Sequence, residues 1–330
     1  MWIGILVLCL LALTLLSFGL GGYPLGPVTV IRVLASRFVT IPVTWPQTAA
    51  TVILDVRLPR ILAALVVGAA LSSSGAAYQT MMRNPLVSPE ILGVAAGAGF
   101  GASLGILLGF SASVLQVMAF AFGLLAAVAS LAIGRVVGSV SPIVLVLGGV
   151  VVGAMFGALI SATQYFANPD TTLPEITFWL FGSLGRATNG GLVAPAVIVG
   201  VCLAALYAVR WQLTVLATGE DEARTLGIDR RVVRTVVIGA STLMTATVVS
   251  VAGIVGWVGL VVPHLARSFV GPSFGRLLTV SALIGAGFLL AVDDVARSAT
   301  TQDLPLGILT ALIGAPFFVA LLVRAGRQWL

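Results

Sequence analysis

The chain has 330 residues, of which 59% are hydrophobic and 8% charged, and its formal net charge is +6. Soluble domains carry roughly 25% charged residues, so this composition predicts a polytopic membrane protein of the all-α class. All 17 basic residues are arginines, which excludes a P-loop ATPase because that site needs a lysine, and their dispersal along the chain argues against nucleic-acid binding.

Hydrophobic runs of about 20 residues predict ten transmembrane helices in a single transmembrane domain over residues 1–330. The predicted spans are 2–20, 60–80, 90–109, 114–134, 143–166, 192–209, 235–253, 254–270, 277–293 and 306–323. The first run lacks a basic n-region and a small-residue cleavage site, so we expect it to be retained. The connectors 21–56 and 167–190 are too polar or too rich in Pro and Gly to span.

The arginines predict the orientation, because short cytoplasmic loops retain positive charge. With both termini in the cytoplasm, eleven arginines fall inside and six outside. The six exterior residues are Arg32, Arg37, Arg57, Arg60, Arg186 and Arg297. The first span alone would argue for the opposite orientation, since Arg32 and Arg37 follow it. The count over the whole chain favours a cytoplasmic position for residues 210–234.

Glycines predict close helix packing in two of the spans. In the third span they recur at every fourth position, at Gly93, Gly97, Gly101, Gly105 and Gly109. A second cluster comprises Gly148, Gly149, Gly153 and Gly157. Gly97, Gly99 and Ala102 match the spacing of a dinucleotide-binding fingerprint, but that motif requires a preceding strand, and here it lies inside a span.

Two polar motifs interrupt the apolar pattern. Asn84-Pro85 is expected to end one helix, and Ser88-Pro89-Glu90 to start the next with Ser88 as N-cap and Pro89 at the first helical position. Further along, Gly253, Gly256 and Gly259 loosen the chain ahead of Pro263, His264 and Arg267. A lone histidine beside a proline at a helix end indicates a hydrogen-bonded structural residue more than a catalyst.

Residues 210–234 form the one sizeable charge-dense insertion in the apolar chain. Thr218 is a plausible N-cap with Asp221 three residues on, and the acids Glu220, Asp221 and Glu222 suit the positive end of a helix dipole. Gly227 suits the C-terminal stop. The pattern predicts a short capped helix that meets a partner in the cytoplasm.

Four motifs in order along the chain carry a family resemblance. They are RLPRILAALVVGAALSSSGAAYQTMMRNPLVSPEILGV, GEDEARTLGI, GWVGLVVPHLAR and LPLGILTALIGAPFF. Together they resemble the permease subunit of ABC importers for iron–siderophore complexes, haem and vitamin B12, over roughly residues 20–325. The resemblance implies ten helices per subunit, a homodimer or pseudo-dimer, two ATP-binding cassette subunits and a periplasmic or lipid-anchored substrate-binding protein.

The resemblance also implies roles for individual residues. The coupling helix that docks in the ATPase corresponds to Glu220, Asp221, Glu222, Ala223, Leu226 and Gly227. Docking of the binding protein through its glutamates corresponds to Arg57, Arg60 and Arg297. Candidates for the pathway or for family motifs are Gln164, Phe178, Trp179, Asn84, Pro85, Pro263, His264 and Arg267. No residue is expected to be catalytic, and this chain is expected to bind no metal or cofactor, since ATP and magnesium belong to the partner ATPase.

The expected function is import of an iron chelate, ferric siderophore or haem, by alternating access across a bacterial inner membrane. Vitamin B12 or molybdate are alternative substrates within the same family. An ion-coupled secondary transporter would use intramembrane carboxylates, for which Asp293 and Asp294 are the close candidates, although they lie near the interface. An intramembrane hydrolase would combine Ser72, Ser73 or Ser74 with His264, but a serine run in a small-residue helix is normally packing.

Overall fold

The computed structural model describes residues 2–137, 142–299 and 303–326, and these ranges contain helices and no strands. The helices are α1 Trp2–Ser17, α2 Pro27–Ala35, α3 Gln47–Thr51, α4 Leu58–Met82, α5 Val94–Leu107, α6 Ala112–Val136, α7 Pro142–Phe166 and α8 Thr172–Leu180. They continue with α9 Asn189–Ala208, α10 Arg210–Thr218, α11 Glu220–Thr225, α12 Arg230–Ala252, α13 Val258–Val270, α14 Phe274–Ser298 and α15 Leu306–Gly326.

Ten of these helices correspond to the ten predicted spans. Among the described residues, α6, α7, α9, α12 and α14 are long and apolar enough to cross a membrane, and α1, α5, α13 and α15 are shorter apolar helices. The tenth, α4, has 25 residues and is largely buried. The predicted all-α fold of about ten transmembrane helices is confirmed.

Helix α4 lies at the centre of the fold, where it packs against α9, α12, α13 and α14. Glycines permit the closest of these contacts. A Cβ atom on Gly75 would lie 1.8 Å from the carbonyl oxygen of Gly259 in α13, and one on Gly68 would lie 2.1 Å from that of Gly285 in α14. At such distances only a hydrogen side chain fits, so the backbones of these helices touch.

The predicted close packing of the glycine face of the third span is confirmed for its middle glycines. Cβ atoms on Gly97 and Gly101 would each lie 2.4 Å from a carbonyl oxygen of α6, and Gly105 faces the sulfur of Met118. The two end members act differently, because Gly93 (φ +72°) and Gly109 (φ +70°) adopt the left-handed conformation at the ends of α5. The ridge is therefore three glycines long, flanked by two glycine helix stops.

The second glycine cluster is only partly a packing surface. A Cβ on Gly149 would lie 1.7 Å from the carbonyl oxygen of Ile91, and one on Gly148 would lie 3.1 Å from that of Ser130. Gly153 and Gly157 face open space, with nothing within 4 Å. Nothing in the described chain packs against these last two residues, so close helix packing there stays a prediction.

Two helices start later than predicted because the chain breaks before them. Pro89–Leu92 forms a short 3₁₀ turn, with Ser88 at the N-cap position as expected but without a capping hydrogen bond from its side chain. Before α13, residues 253–257 are non-helical, and Gly253 and Trp257 both have φ near +71°. Pro263 and His264 consequently lie inside α13 and not at a helix end, which corrects the sequence expectation.

The two connectors do not span, as predicted, although both contain short helices. The first holds α2, α3 and a π-helical turn, Val52–Arg57, that leads into α4. The second holds α8 after a turn in which the Asp170 amide donates to the side chain of Asn168 at 2.9 Å. These segments lie at one end of the bundle, together with the start of α4 and the end of α14.

Candidate functional site

The predicted coupling segment contains two helices, α10 and α11, ahead of α12. The predicted N-cap is wrong: Gly219 occupies that position, and no side chain caps α11. The Thr218 hydroxyl donates instead to the carbonyl oxygen of Val215 at 2.8 Å. Because the hydroxyl bonds back to the preceding turn, it is held within α10 and away from the amides of the next helix.

The C-terminal stop at Gly227 is confirmed and is a Schellman motif. The Gly227 amide donates to the carbonyl oxygen of Arg224 at 3.0 Å, and the Ile228 amide donates to that of Ala223 at 3.0 Å. Gly227 has φ +70°, which a residue with a Cβ adopts only with strain. The glycine therefore sets the direction in which the chain leaves α11.

Helix α11 presents one face outward and holds the other against the protein. Asp221, Glu222 and Gly227 are exposed, and Leu226 is 56% exposed. Ala223 is fully buried and belongs to the main hydrophobic core, so it anchors the helix and does not reach a partner. The backbone of Glu220 begins α11, and its side chain lies outside the described part of the structure.

Helix α10 connects this surface to the transmembrane bundle. Leu213 and Leu216 are buried in the main core, and α10 packs against α4 and α14. The Phe274 amide, at the start of α14, donates to the Thr214 hydroxyl at 3.1 Å. Asp229 caps α12 through bonds from the amides of Arg231 and Val232. A displacement of α11 would therefore be passed to α4, α12 and α14.

The three arginines expected at the outer face are buried. Arg57, Arg60 and Arg297 are 4%, 8% and 9% exposed. The Arg60 Nε donates to both carboxylate oxygens of Asp293 at 3.0 Å, and its Nη1 donates to Asp303 at 2.5 Å. Asp293 itself is fully buried. The pairing joins the start of α4 to the end of α14.

The other two arginines tie the end of α1 to the same cluster. Arg297 pairs with Asp294 and donates to the carbonyl oxygens of Ser17 and Leu20. Arg57 donates to the carbonyl oxygens of Phe18 and Tyr23. We call Arg60, Arg297, Asp293, Asp294 and Asp303 the ion-pair cluster.

The contacts within this cluster change the roles expected for its arginines and aspartates. The guanidinium groups are occupied by groups of the same chain, so docking of a binding protein at these arginines stays a prediction. The sequence pattern indicates no role for Asp303, and it indicates Asp293 and Asp294 only as candidate ion-coupling carboxylates. The i,i+3 and i,i+4 spacing of the two aspartates to Arg297 is the signal that could have indicated pairing.

The proposed pathway residues divide by exposure. Phe178 is 42% exposed and Gln164 is partly exposed. Trp179 is 2% exposed, packs in a core cluster with Ala98, Ile176 and Val249, and also contributes to the wall of a cavity near the start of α9. Its indole fills the space between α5, α8 and α12, and its carbonyl oxygen lies against Gly253.

The polar motif residues have structural contacts. Asn84 accepts a bond from the Leu86 amide at 2.9 Å, which forms the turn after α4, and Asn84 and Pro85 are exposed there. Arg267 donates to the Thr80 hydroxyl at 3.3 Å. The predicted hydrogen bond of His264 is not found at its Nδ1 within the described residues, and the ring packs edge-on against Phe317.

Ser72 and Ser74 of α4 bond to backbone groups, whereas the hydroxyl of Ser73 has no partner among the described residues. The Ser72 hydroxyl donates to the carbonyl oxygens of Gly68 and Ser281, and that of Ser74 donates to Ser241. Among the bonds of the described chain, none joins these hydroxyls to His264. The serine run serves helix packing, as expected.

A cavity of about 470 Å³ lies between the starts of α6 and α9 and the end of α12. Its polar wall includes Glu175, Arg186 and Gln116.

Comparisons with known proteins agree with this architecture. The model of the FecCD transport family matches residues 9–324. The permease of a molybdate import system from Haemophilus influenzae is 39% identical over 98% of this chain and 95% of its own length. A probable iron chelatin permease from Helicobacter pylori is 40% identical over 83% of this chain and 82% of its own.

A solved structure extends the similarity to three dimensions. An inward-facing ABC transporter of metal-chelate type superposes with a TM-score of 0.86 and 38% identity, over 98% of both chains. A hemin permease from Yersinia pestis is 36% identical over 83% of this chain and 84% of its own. The chain therefore belongs to the FecCD transport family and is the permease subunit of an ABC importer.

Proposed function

We propose that this permease translocates a ferric chelate, a siderophore complex or haem, into the cytoplasm. The similarity to the metal-chelate type transporter carries the proposal, because it extends over 98% of both chains at a TM-score of 0.86. The relatives named for iron chelatin and hemin support the same substrate class. The chain itself is a transport component, and ATP hydrolysis belongs to a separate subunit.

The proposed mechanism is alternating access driven through α11. Its exposed acids and Leu226 would dock in a cleft of the ATPase, while buried Ala223 and the Schellman motif keep the helix fixed to the chain. Because α10 packs against α4 and α14, closure of the ATPase subunits would tilt the bundle and not merely move a loop. No residue of this chain takes part in covalent chemistry.

The proposed assembly contains two copies of this permease, two ATP-binding cassette subunits and a periplasmic binding protein. The uncovered side of α7 at Gly153 and Gly157 is consistent with a second copy, since a neighbour could approach closely there. We place the complex in a bacterial inner membrane with both termini in the cytoplasm. This orientation follows from the arginine count along the sequence.

Uptake into proteoliposomes tests the substrate. The permease is reconstituted with its ATPase and binding protein, and ATP-dependent uptake of radioactive ferric siderophore, haem, cobalamin and molybdate is measured. We expect uptake of a ferric chelate. Molybdate is the second candidate, because the molybdate relative covers 98% of this chain. Transport of molybdate or cobalamin alone would overturn the proposal.

The same vesicles distinguish ATP-driven transport from transport driven by an ion gradient. Asp293 and Asp294 are already engaged by Arg60 and Arg297, so neither is available as a simple ion-coupling carboxylate. We expect no uptake in vesicles that contain the permease without its ATPase, whatever the proton or sodium gradient.

A further inference from the structure

An open groove of about 620 Å³ runs between α6 and α12. Its walls are mainly apolar and include Leu124, Val128, Ile238 and Gly239. Val128 is 54% exposed, and a Cβ on Gly239 would have nothing within 4 Å, so the groove is accessible from the side. Three arginines stand at one end of it: Arg135, Arg231 and Arg234.

The dimensions of the groove match one leaflet of a bilayer. On α6 it extends from Leu124 to Arg135 and on α12 from Arg231 to Thr242, about 16 Å on each helix at 1.5 Å per residue. Half of a hydrocarbon core is about 15 Å thick. The antiparallel helices place all three arginines at the same end, where lipid headgroups would lie.

The positive charge at the arginine end of the groove favours binding of an anion. Arg231 is the second residue of α12, where the helix dipole is positive and a cation is disfavoured. The nearby acid, Asp229, already accepts bonds from the Arg231 and Val232 amides. Arg135 and Arg231 are both exposed. Arg234 takes part in a further interaction, which leaves Arg135 and Arg231 as the two arginines considered for the anion.

We propose that this groove binds one anionic phospholipid, of the phosphatidylglycerol class, with its phosphate between Arg135 and Arg231. An acyl chain then lies along Val128, Ile238 and Gly239. Neutral phospholipids fill the same apolar walls but gain nothing net from the arginines, so the site selects by headgroup charge. The proposed orientation would place this site in the cytoplasmic leaflet. The existence of the site does not depend on that orientation.

Lipid retention by the reconstituted complex tests the site. The permease with its ATPase is placed in nanodiscs of equimolar phosphatidylglycerol and phosphatidylcholine, released into mild detergent, and its retained lipids are identified by native mass spectrometry. We expect enrichment of phosphatidylglycerol, reduced about fivefold by Arg135→Gln or Arg231→Gln, since one arginine near a membrane surface is worth about 1 kcal/mol. Arg37→Gln, an exposed arginine elsewhere, should leave the enrichment unchanged.

A second variant tests the apolar part without changing charge. Gly239→Leu places a side chain in open space, so it should fold while obstructing the acyl chain and lowering retention of both lipids. The proposal is overturned if the double variant Arg135→Gln/Arg231→Gln retains phosphatidylglycerol like the wild type. It is equally overturned if millimolar inorganic phosphate displaces the lipid, because the groove would then bind a free anion.

Discussion

Removal of Arg60 should destabilise the folded permease. Arg60→Gln leaves Asp293, which is fully buried, without its two bonds at 3.0 Å. Breaking a buried ion pair by removing one partner costs about 3–5 kcal/mol. Arg297 remains 3.8 Å from Asp293 and offsets part of the loss, so we expect a cost of about 3 kcal/mol, near the lower end of that range.

Thermal unfolding of the detergent-solubilised permease measures this loss. At about 2.1 cal/mol/K of unfolding entropy per residue, 1 kcal/mol shifts the Tm of a 330-residue chain by about 1.4 °C, so a decrease of roughly 4 °C is expected. Arg32→Gln is the matched control, because Arg32 is exposed and bonds to the hydroxyl of Thr44. The double variant Arg60→Gln/Asp293→Asn should recover part of the loss, since neither partner is then left charged and unpaired.

Binding-protein affinity, measured on the same variants, separates the two roles considered for this arginine. A structural role predicts that Arg60→Gln lowers Tm, with any loss of docking following from that. If Arg60→Gln unfolds at the wild-type temperature and loses affinity for the binding protein, the reasoning from burial is refuted. The arginine would then act at the docking surface.

Three further substitutions test other features of the structure. Gly227→Ala should strain the left-handed position by about 1–2 kcal/mol and uncouple ATP hydrolysis from uptake, whereas Gly227→Asn should be tolerated better. The same ratio of uptake to ATP hydrolysis in both variants would contradict this. Gly75→Val should prevent correct folding, because its Cβ would lie 1.8 Å from a carbonyl oxygen. Size-exclusion chromatography should then show loss of the monodisperse peak. Gly26→Val places its side chain in open space and should keep that peak. Trp179→Ala should cost about 3–5 kcal/mol as a fully buried aromatic, read as a lower Tm, and Phe178→Ala much less; similar effects would show that burial does not distinguish them.

The sequence predicts those features that depend on local pattern. Spans were located because a bilayer requires about 20 apolar residues, and their interiors agree with the helices. Gly227 was recognised because a helix stop needs a left-handed residue just after it. The ridge of Gly97, Gly101 and Gly105 was recognised because a period of four keeps small residues on one helical face.

Features that depend on distant partners were not predictable. Arg60 and Asp293 are 233 residues apart, and nothing local distinguishes a buried guanidinium from one at a membrane edge. The break before α13 was underestimated because Trp257 adopts φ +71°, a conformation that bulky residues rarely take. Thr218 was wrongly assigned as an N-cap because a hydroxyl can bond backward as readily as forward.

The polar character of α4 has a consequence for how this protein is made. This helix buries Arg60, the serine run 72–74 and Gln79, and Arg60 is the one charged residue within it. Its principal charged partner, Asp293, is synthesised 233 residues later, on the order of 10–50 s at typical rates of translation. During that interval the guanidinium of Arg60 lacks the carboxylate with which it pairs in the folded protein. Completion of α14 is therefore the event that pairs the buried charge at the start of α4.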